Sequence, residues 1–279
     1  MIKNENVNLN FHSTFNPDFE YITKILEIAD EYEGLTKEEI SDLTGIPTGK
    51  SSGKVEPHIM YCKYMNLINF KKKDKKYYIN STELGKVVRL EDLYFLENIT
   101  KLICHYFLTS KISGAVLWSK IFRDMQYKYG NKIKEGIVIR ELEEEFNIKI
   151  KVSPFNSCYT HEKSLASLNL VKLIDLKEDK IISFNKNIYD EDALYVYAFT
   201  LIKELEELDQ NRKEFSINEI IYELKWNQGF CWDENMAIEV LEKINDKSII
   251  NLNRQLNPMT VIINKSSEDI LDSLYSLLF

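Results

Sequence analysis

The chain has 279 residues, 44% apolar and 12% aromatic, enough to bury a core and to exclude a disordered polyelectrolyte. Its net charge of −8 excludes a surface that coats nucleic acid on every side, leaving only a local basic patch as a route to polyanions. The length suits two or three small domains, and 9 Gly with 5 Pro are few for an all-β protein.

Cys62, Cys104, Cys158 and Cys231 form no CxxC pair, a usage that fits free thiols in a reducing compartment. The opening MIKNENVNLNFH has no apolar core of signal-peptide length. No stretch approaches the ~18 apolar residues of a membrane span. The expectation is a cytoplasmic protein with no membrane partner.

In chain order, the first predicted helix lies in LTKEEISDLTGI, Leu35 to Ile46. Thr36 and Glu39 have capping-box spacing, Leu35, Ile40 and Leu43 fall on one face, and Gly45 with Pro47 supplies a stop. Gly49-Lys50-Ser51 then resembles the end of a phosphate-binding loop, but Thr44 stands where that loop needs its first glycine. Such a loop also follows a buried strand, whereas this one follows a helix, so no nucleotide site is expected.

A second helix is predicted from Val55 to Met65, with Pro57 tolerated in its first turn. Leu67–Phe70 and Tyr77–Ile79 read as strands around the turn KKKDKK. Helix, turn, helix and hairpin make a winged helix-turn-helix. Between Lys50 and Asn80 eight lysines face Glu56 and Asp74, so this stretch carries 8 − 2 = +6 and the remainder −8 − 6 = −14. Candidate DNA-binding residues are Lys50, Ser51, Ser52, Lys54 and His58 at the helix start, and Lys71, Lys72, Lys73, Lys75 and Lys76 in the wing. They offer charge for phosphates but no base-reading Arg or Gln.

Leu90 to Ile112 is apolar around most of its circumference and is predicted as one central core helix, followed by the helical GAVLWSKIFRDMQYKYG. Residues 137 to 184 repeat the first layout: an amphipathic helix in IVIRELEEEFNI, a helix from about His161, and two strands around Lys177-Glu178-Asp179-Lys180, a neutral turn. Asp190 to Gln210 is a long helix. Residues 216 to 264 form a looser third copy, opened by a Ser216/Glu219 capping box. The closing SSEDILDSLYSLLF is expected to dock its leucines. The fold class is mainly α (α+β): winged helix-turn-helix units with short β-hairpins, linked by long core helices. The expected division is 1–89, 90–189 and 190–279.

FHSTF, LTGIPTGKSSGKVEPHI with YMNLI, TELG, ENITKLICHYFLTSKISGAVLWSKIF, Gly229-Phe230 and EDILDSLYSL together resemble the bacterial family called domain of unknown function 4007. The resemblance covers nearly the whole chain. It implies an accessory role in DNA sulfur modification (phosphorothioation) or phage defence. The partners it implies are phosphoadenosine-phosphosulfate-reductase-like or cysteine-desulfurase-like proteins, and it carries over no catalytic residues.

The sequence offers little catalytic or metal-binding chemistry. Cys62 and His58 have i, i+4 spacing but no further ligand nearby, so no metal site is expected. His12 and His161 stand apart, and His105 reads as a hydrogen-bonded core histidine. Asp175 with Glu178-Asp179-Lys180 is a faint nuclease-like fragment confined to a solvated turn. Trp118 stands alone, while Trp226 and Trp232 lie in Tyr222–Asn235, read as an inter-helix plug with a partner-protein site as the alternative.

The expectation is a non-catalytic DNA-binding accessory protein without cofactors, contacting duplex phosphates through its first unit. The alternatives are a protein-interaction scaffold for a sulfurtransferase- or reductase-like partner, a transcriptional regulator, and an enzyme whose site left no motif.

Overall fold

A computed structural model describes residues 8–49, 53–186 and 189–278. It is an α+β protein in which three small antiparallel sheets surround long helices.

Helix α1, Phe19–Ile28, starts where the Asp18 side chain accepts from the Glu20 N–H, and it buries Phe19, Ile22, Ile25 and Leu26 on one stripe. Strand β1, Leu35–Thr36, leads into α2, Lys37–Thr44, through the predicted capping box of Thr36 and Glu39. Helix α2 stops at Gly45, whose left-handed φ of 70° suits a residue without Cβ. Ile40 is buried as expected, but Leu43 is 49% exposed because α2 is covered on a narrower stripe.

Helix α3, Val55–Tyr64, is followed by strands β2, Ile68–Lys73, and β3, Lys76–Ser81. Their register pairs Ile68 with Ser81 and Lys73 with Lys76. Asp74 and Lys75, at φ 50° and 66°, form the two-residue loop whose twist matches a hairpin. Strand β1 joins the other edge of β3, giving the order β1-β3-β2.

The expected helix from Leu90 to Ile112 is instead two. Helix α4, Glu83–Glu91, and α5, Asn98–Leu108, are separated by a turn built on Asp92. The buried Asp92 carboxylate accepts from the Leu96 N–H (2.8 Å), the Glu97 N–H (3.0 Å) and Thr100 Oγ1 (2.7 Å). One acidic side chain thereby satisfies backbone donors at the start of α5, and apolar periodicity across the break is overridden. Helix α5 is the central helix, buried from Leu102 to Leu108.

Val116–Ser119 (α6), the π-helical turn Lys120–Met125 and Gln126–Tyr129 (α7) run on as one rod. They lead to β4, Lys132–Lys134, α8, Glu135–Phe146, and α9, Ser153–Thr160. The helix expected from His161 thus ends there, because Pro154 starts α9 earlier and His161 takes an extended conformation. Strands β5, Val171–Asp175, and β6, Lys180–Phe184, complete the order β4-β6-β5.

Helix α10, Leu194–Leu208, packs on α5. After it come β7, Glu214–Ser216, a π-helical turn at Glu219–Glu223 opened by the Ser216–Glu219 bonds, and α11, Trp226–Gly229. Helix α12, Glu234–Asp246, and strands β8, Ile250–Asn253, and β9, Thr260–Ile263, give the order β7-β9-β8. Helix α13, Ser267–Leu271, docks on α10, with Leu274 buried behind it. The same succession, helix, strand, helix, helix, hairpin, therefore occurs three times, and the three units share one apolar core.

That core contains a charged pair. Glu204 on α10 accepts from Ser110 Oγ (2.8 Å), the Lys111 N–H (3.1 Å) and the Tyr106 hydroxyl. Arg123, in the π-helical turn, lies 3.9 Å from Glu204, stacks 4.6 Å from the Tyr106 ring centre and donates to the Lys225 carbonyl (2.8 Å). A Cβ on Gly229 would sit 2.8 Å from the guanidinium carbon, so any larger residue there would have to displace the Arg123 side chain.

Candidate nucleic-acid interface

Side chains alternate along a strand, so the β2–β3 hairpin sorts its lysines onto two faces. Lys71 opposite Tyr78, and Lys73 opposite Lys76, share the outer face. Lys72 points the other way, with Phe70, Tyr77 and Ile79. There its ammonium lies 2.6 Å from Glu56, in the first turn of α3, and 4.7 Å from the Tyr77 ring centre. The Tyr77 hydroxyl donates to the same carboxylate. The hydrogen bonds from Lys72 and then Tyr77 hold Glu56 below the usual carboxylate range, and the bond to Glu56 raises Lys72.

Lys71, Lys73, Lys75 and Lys76 are exposed and, among the described residues, carry no ion pair. They surround the hairpin tip. A cleft of about 400 Å³ opens on the other side, lined by Asn10, Ser13, Lys37, Glu56, Phe70 and Lys72.

Helix α3 departs from the expectation. Of its ten residues only Glu56 and Lys63 are exposed. Phe11 packs edge-on against Tyr61, Tyr61 also meets Trp118, and the Tyr61 hydroxyl donates to the Phe15 carbonyl (2.8 Å). The segment before α1 and the rod at Trp118 therefore cover the helix that a helix-turn-helix would lay in a groove.

His58, expected at an accessible helix start, is 1% exposed. Its Nδ1–H donates to the Lys54 carbonyl (2.7 Å) and its Nε2 accepts from the Asp18 N–H (3.2 Å), which sets a neutral tautomer. Burial pulls its pKa down to about 4. The expected phosphate contact by His58 is thus corrected: the ring joins α1 to α3. Lys54, half-buried at the N-cap of α3, holds its ammonium 5.5 Å from the ring centre of Phe15 and 5.2 Å from that of Tyr21. Lys50, Ser51 and Ser52 lie outside the described residues.

The other candidates resolve plainly. Cys62 is fully buried and its thiol is pushed far up by burial. Among the described residues no group of three His, Cys, Asp or Glu side chains could hold a metal ion. Asp179 accepts from the Gly136 N–H (3.2 Å), and the exposed Asp175 lies 3.9 Å from Lys180. That segment is a solvated turn. His105 is a fully buried core histidine, donating from Nε2 to the Gly229 carbonyl (2.7 Å) and accepting at Nδ1 from Tyr159 (2.9 Å). Trp226, Phe230 and Trp232 are buried together against Tyr197, the inter-helix plug expected. Sequence reasoning missed the Arg123–Glu204 pair, because each residue stands among other charges of its own helical run, Lys120 and Asp124 beside Arg123 and Lys203, Glu206 and Glu207 beside Glu204.

No protein-family model matches the sequence, and no curated protein matches it. Two solved structures share its α+β fold. One is a magnesium ion-bound SspB, with a TM-score of 0.75 and 15% identity over 96% of this chain and 88% of that one. The other is an SspB crystal structure with a TM-score of 0.73 and 14% identity over the same shares. No described helix is long and apolar enough to cross a membrane.

Proposed function

We propose that this chain is a non-catalytic accessory protein that holds duplex DNA by its phosphates, through the hairpin of a winged helix formed by residues 19–81. The winged-helix reading is supported by the order helix, strand, helix, helix, hairpin and by the pairing of the short first strand with the last. The observation that carries the DNA reading is the set of four exposed, unpaired lysines, Lys71, Lys73, Lys75 and Lys76, at one hairpin tip of a chain with net charge −8. Because α3 is covered, the binding is to backbone phosphates and carries little base readout. The likeness to the domain of unknown function 4007 family supplies the context, a DNA-modification or phage-defence complex.

Fluorescence anisotropy with a labelled duplex across ionic strength tests this. Four engaged phosphates give a slope of log affinity against log salt of roughly −3 to −4. A slope near zero, or no binding at low salt, refutes it. One of the two similar structures is a magnesium ion-bound form, so the titration is run with and without magnesium.

A further inference from the structure

We propose that the turn between α4 and α5, with α13 beside it, is a docking surface for a partner protein that presents an amphipathic helix flanked by basic residues. Three large apolar side chains stand in solvent there: Leu90 at 82%, Leu96 at 74% and Tyr94 at 66% exposure. Exposed apolar side chains gathered on one short stretch supply the contact area an interaction site needs.

The stretch is rigid. Besides the Asp92 bonds, the Leu93 carbonyl accepts from Thr23 Oγ1 (2.8 Å), and Phe95 is buried and stacked 4.6 Å from Phe19. Thr100, which donates to Asp92, also bonds the Tyr275 hydroxyl (2.8 Å), tying the turn to the C-terminal segment. The apolar groups are therefore held ready, and a partner loses little on ordering them. Beside Leu90 runs a groove of about 320 Å³, floored by Val87, Leu271 and Tyr275.

Charge selects the occupant. Glu91 and Asp272 line the groove and, among the described residues, carry no ion pair. The cations of α4 are already engaged, Lys86 with Glu83 (2.7 Å) and Arg89 with Glu31 (2.9 Å). On the Tyr94 side Lys24 and Lys163 both pair with Glu20, and Lys101 faces the cleft with Glu27 and Glu162. On the Tyr94 side three lysines balance three glutamates, while the groove beside Leu90 therefore carries a negative surplus from Glu91 and Asp272. A second copy docked about a two-fold axis brings these carboxylates against themselves, which disfavours self-association. An apolar helical stripe between Lys or Arg residues satisfies both features.

The probe is a fluorescein-labelled amphipathic peptide of about 14 residues, leucines on one face and lysines on the other, with a glutamate-for-lysine version as control. Anisotropy with the full chain is expected to show micromolar binding of the lysine peptide and none of the control. Leu90→Ser with Leu96→Ser weakens binding at least about tenfold. Glu91→Lys with Asp272→Lys reverses the preference. All four positions are on the surface, so thermal midpoints stay unchanged, and duplex binding by the lysine hairpin stays unchanged as well. Equal binding of both peptides, or insensitivity to the Leu90/Leu96 change, overturns the proposal. So does a sedimentation dimer that dissociates on that change, which would make a second copy the occupant.

Discussion

The lysine hairpin and the Arg123–Glu204 pair use the same kinds of side chain to opposite ends. At the hairpin tip Lys71, Lys73, Lys75 and Lys76 stand exposed and, among the described residues, form no ion pair. In the core Arg123 and Glu204 are stripped of water, and each is held by hydrogen bonds from elements distant in sequence. A charge left in water is available to a partner; a charge buried against its opposite can only hold the fold together, since removing either partner strands the other. Substitutions and a change of pH separate the two roles.

The largest effect is expected in the core. Arg123→Met leaves Glu204 buried without its counter-charge and lowers stability by about 3–5 kcal/mol, read by urea denaturation. Lys71→Glu, Lys73→Glu and Lys76→Glu together leave stability within about 0.5 kcal/mol. The triple reversal instead reduces duplex affinity on the order of a hundredfold at low salt. The corresponding change in the second hairpin, Lys177→Glu with Lys180→Glu, does little, because Glu178 and Asp179 already make that turn neutral, whereas Asp74 offsets only one of the lysines in the first. Equal losses from both hairpins would end the distinction between them.

Acid acts on the buried groups next. His12 and His58 have pKa values pulled down from 6.5 to about 4 by burial, and His105 to about 3. The unfolded chain therefore binds protons that the folded chain resists. Their contribution is complete above about pH 6.5 and is lost as pH falls toward 4. Urea midpoints measured at about pH 7.5 and 5 should fall on acidification, and His58→Gln should flatten the fall. If His58→Gln weakens duplex binding at constant stability, the ring reaches DNA after all.

The smallest effect concerns Glu56. Glu56→Gln frees Lys72 from its ion pair and is expected to raise duplex affinity about two- to fivefold and to steepen the salt slope by about one phosphate. An unchanged slope would place Lys72 away from the duplex.

Local chemistry was readable without coordinates. The Thr36/Glu39 capping box, the left-handed stop at Gly45, the Ser216/Glu219 bonds, the hairpin after α3 and the buried character of His105 all come from residues a few positions apart or from plain apolar context. Three other features depended on partners far along the chain. Helix α3 looked like a presentable helix until Phe11, Phe15 and Trp118 covered it. His58 looked accessible until the Asp18 N–H, forty positions away, capped its ring. The lysines of KKKDKK looked like one patch until the hairpin register turned Lys72 toward Glu56.

What the amino-acid order determined by itself is therefore the capped helix starts, the hairpins and the concentration of positive charge in one of them, because caps, turns and strand alternation act over a few residues. Which helix is covered, which lysine is spent on an ion pair and which leucines are left in water were decided only in the tertiary structure. Burial and pairing are properties of surfaces that meet, and those surfaces are built from segments that the chain order keeps apart.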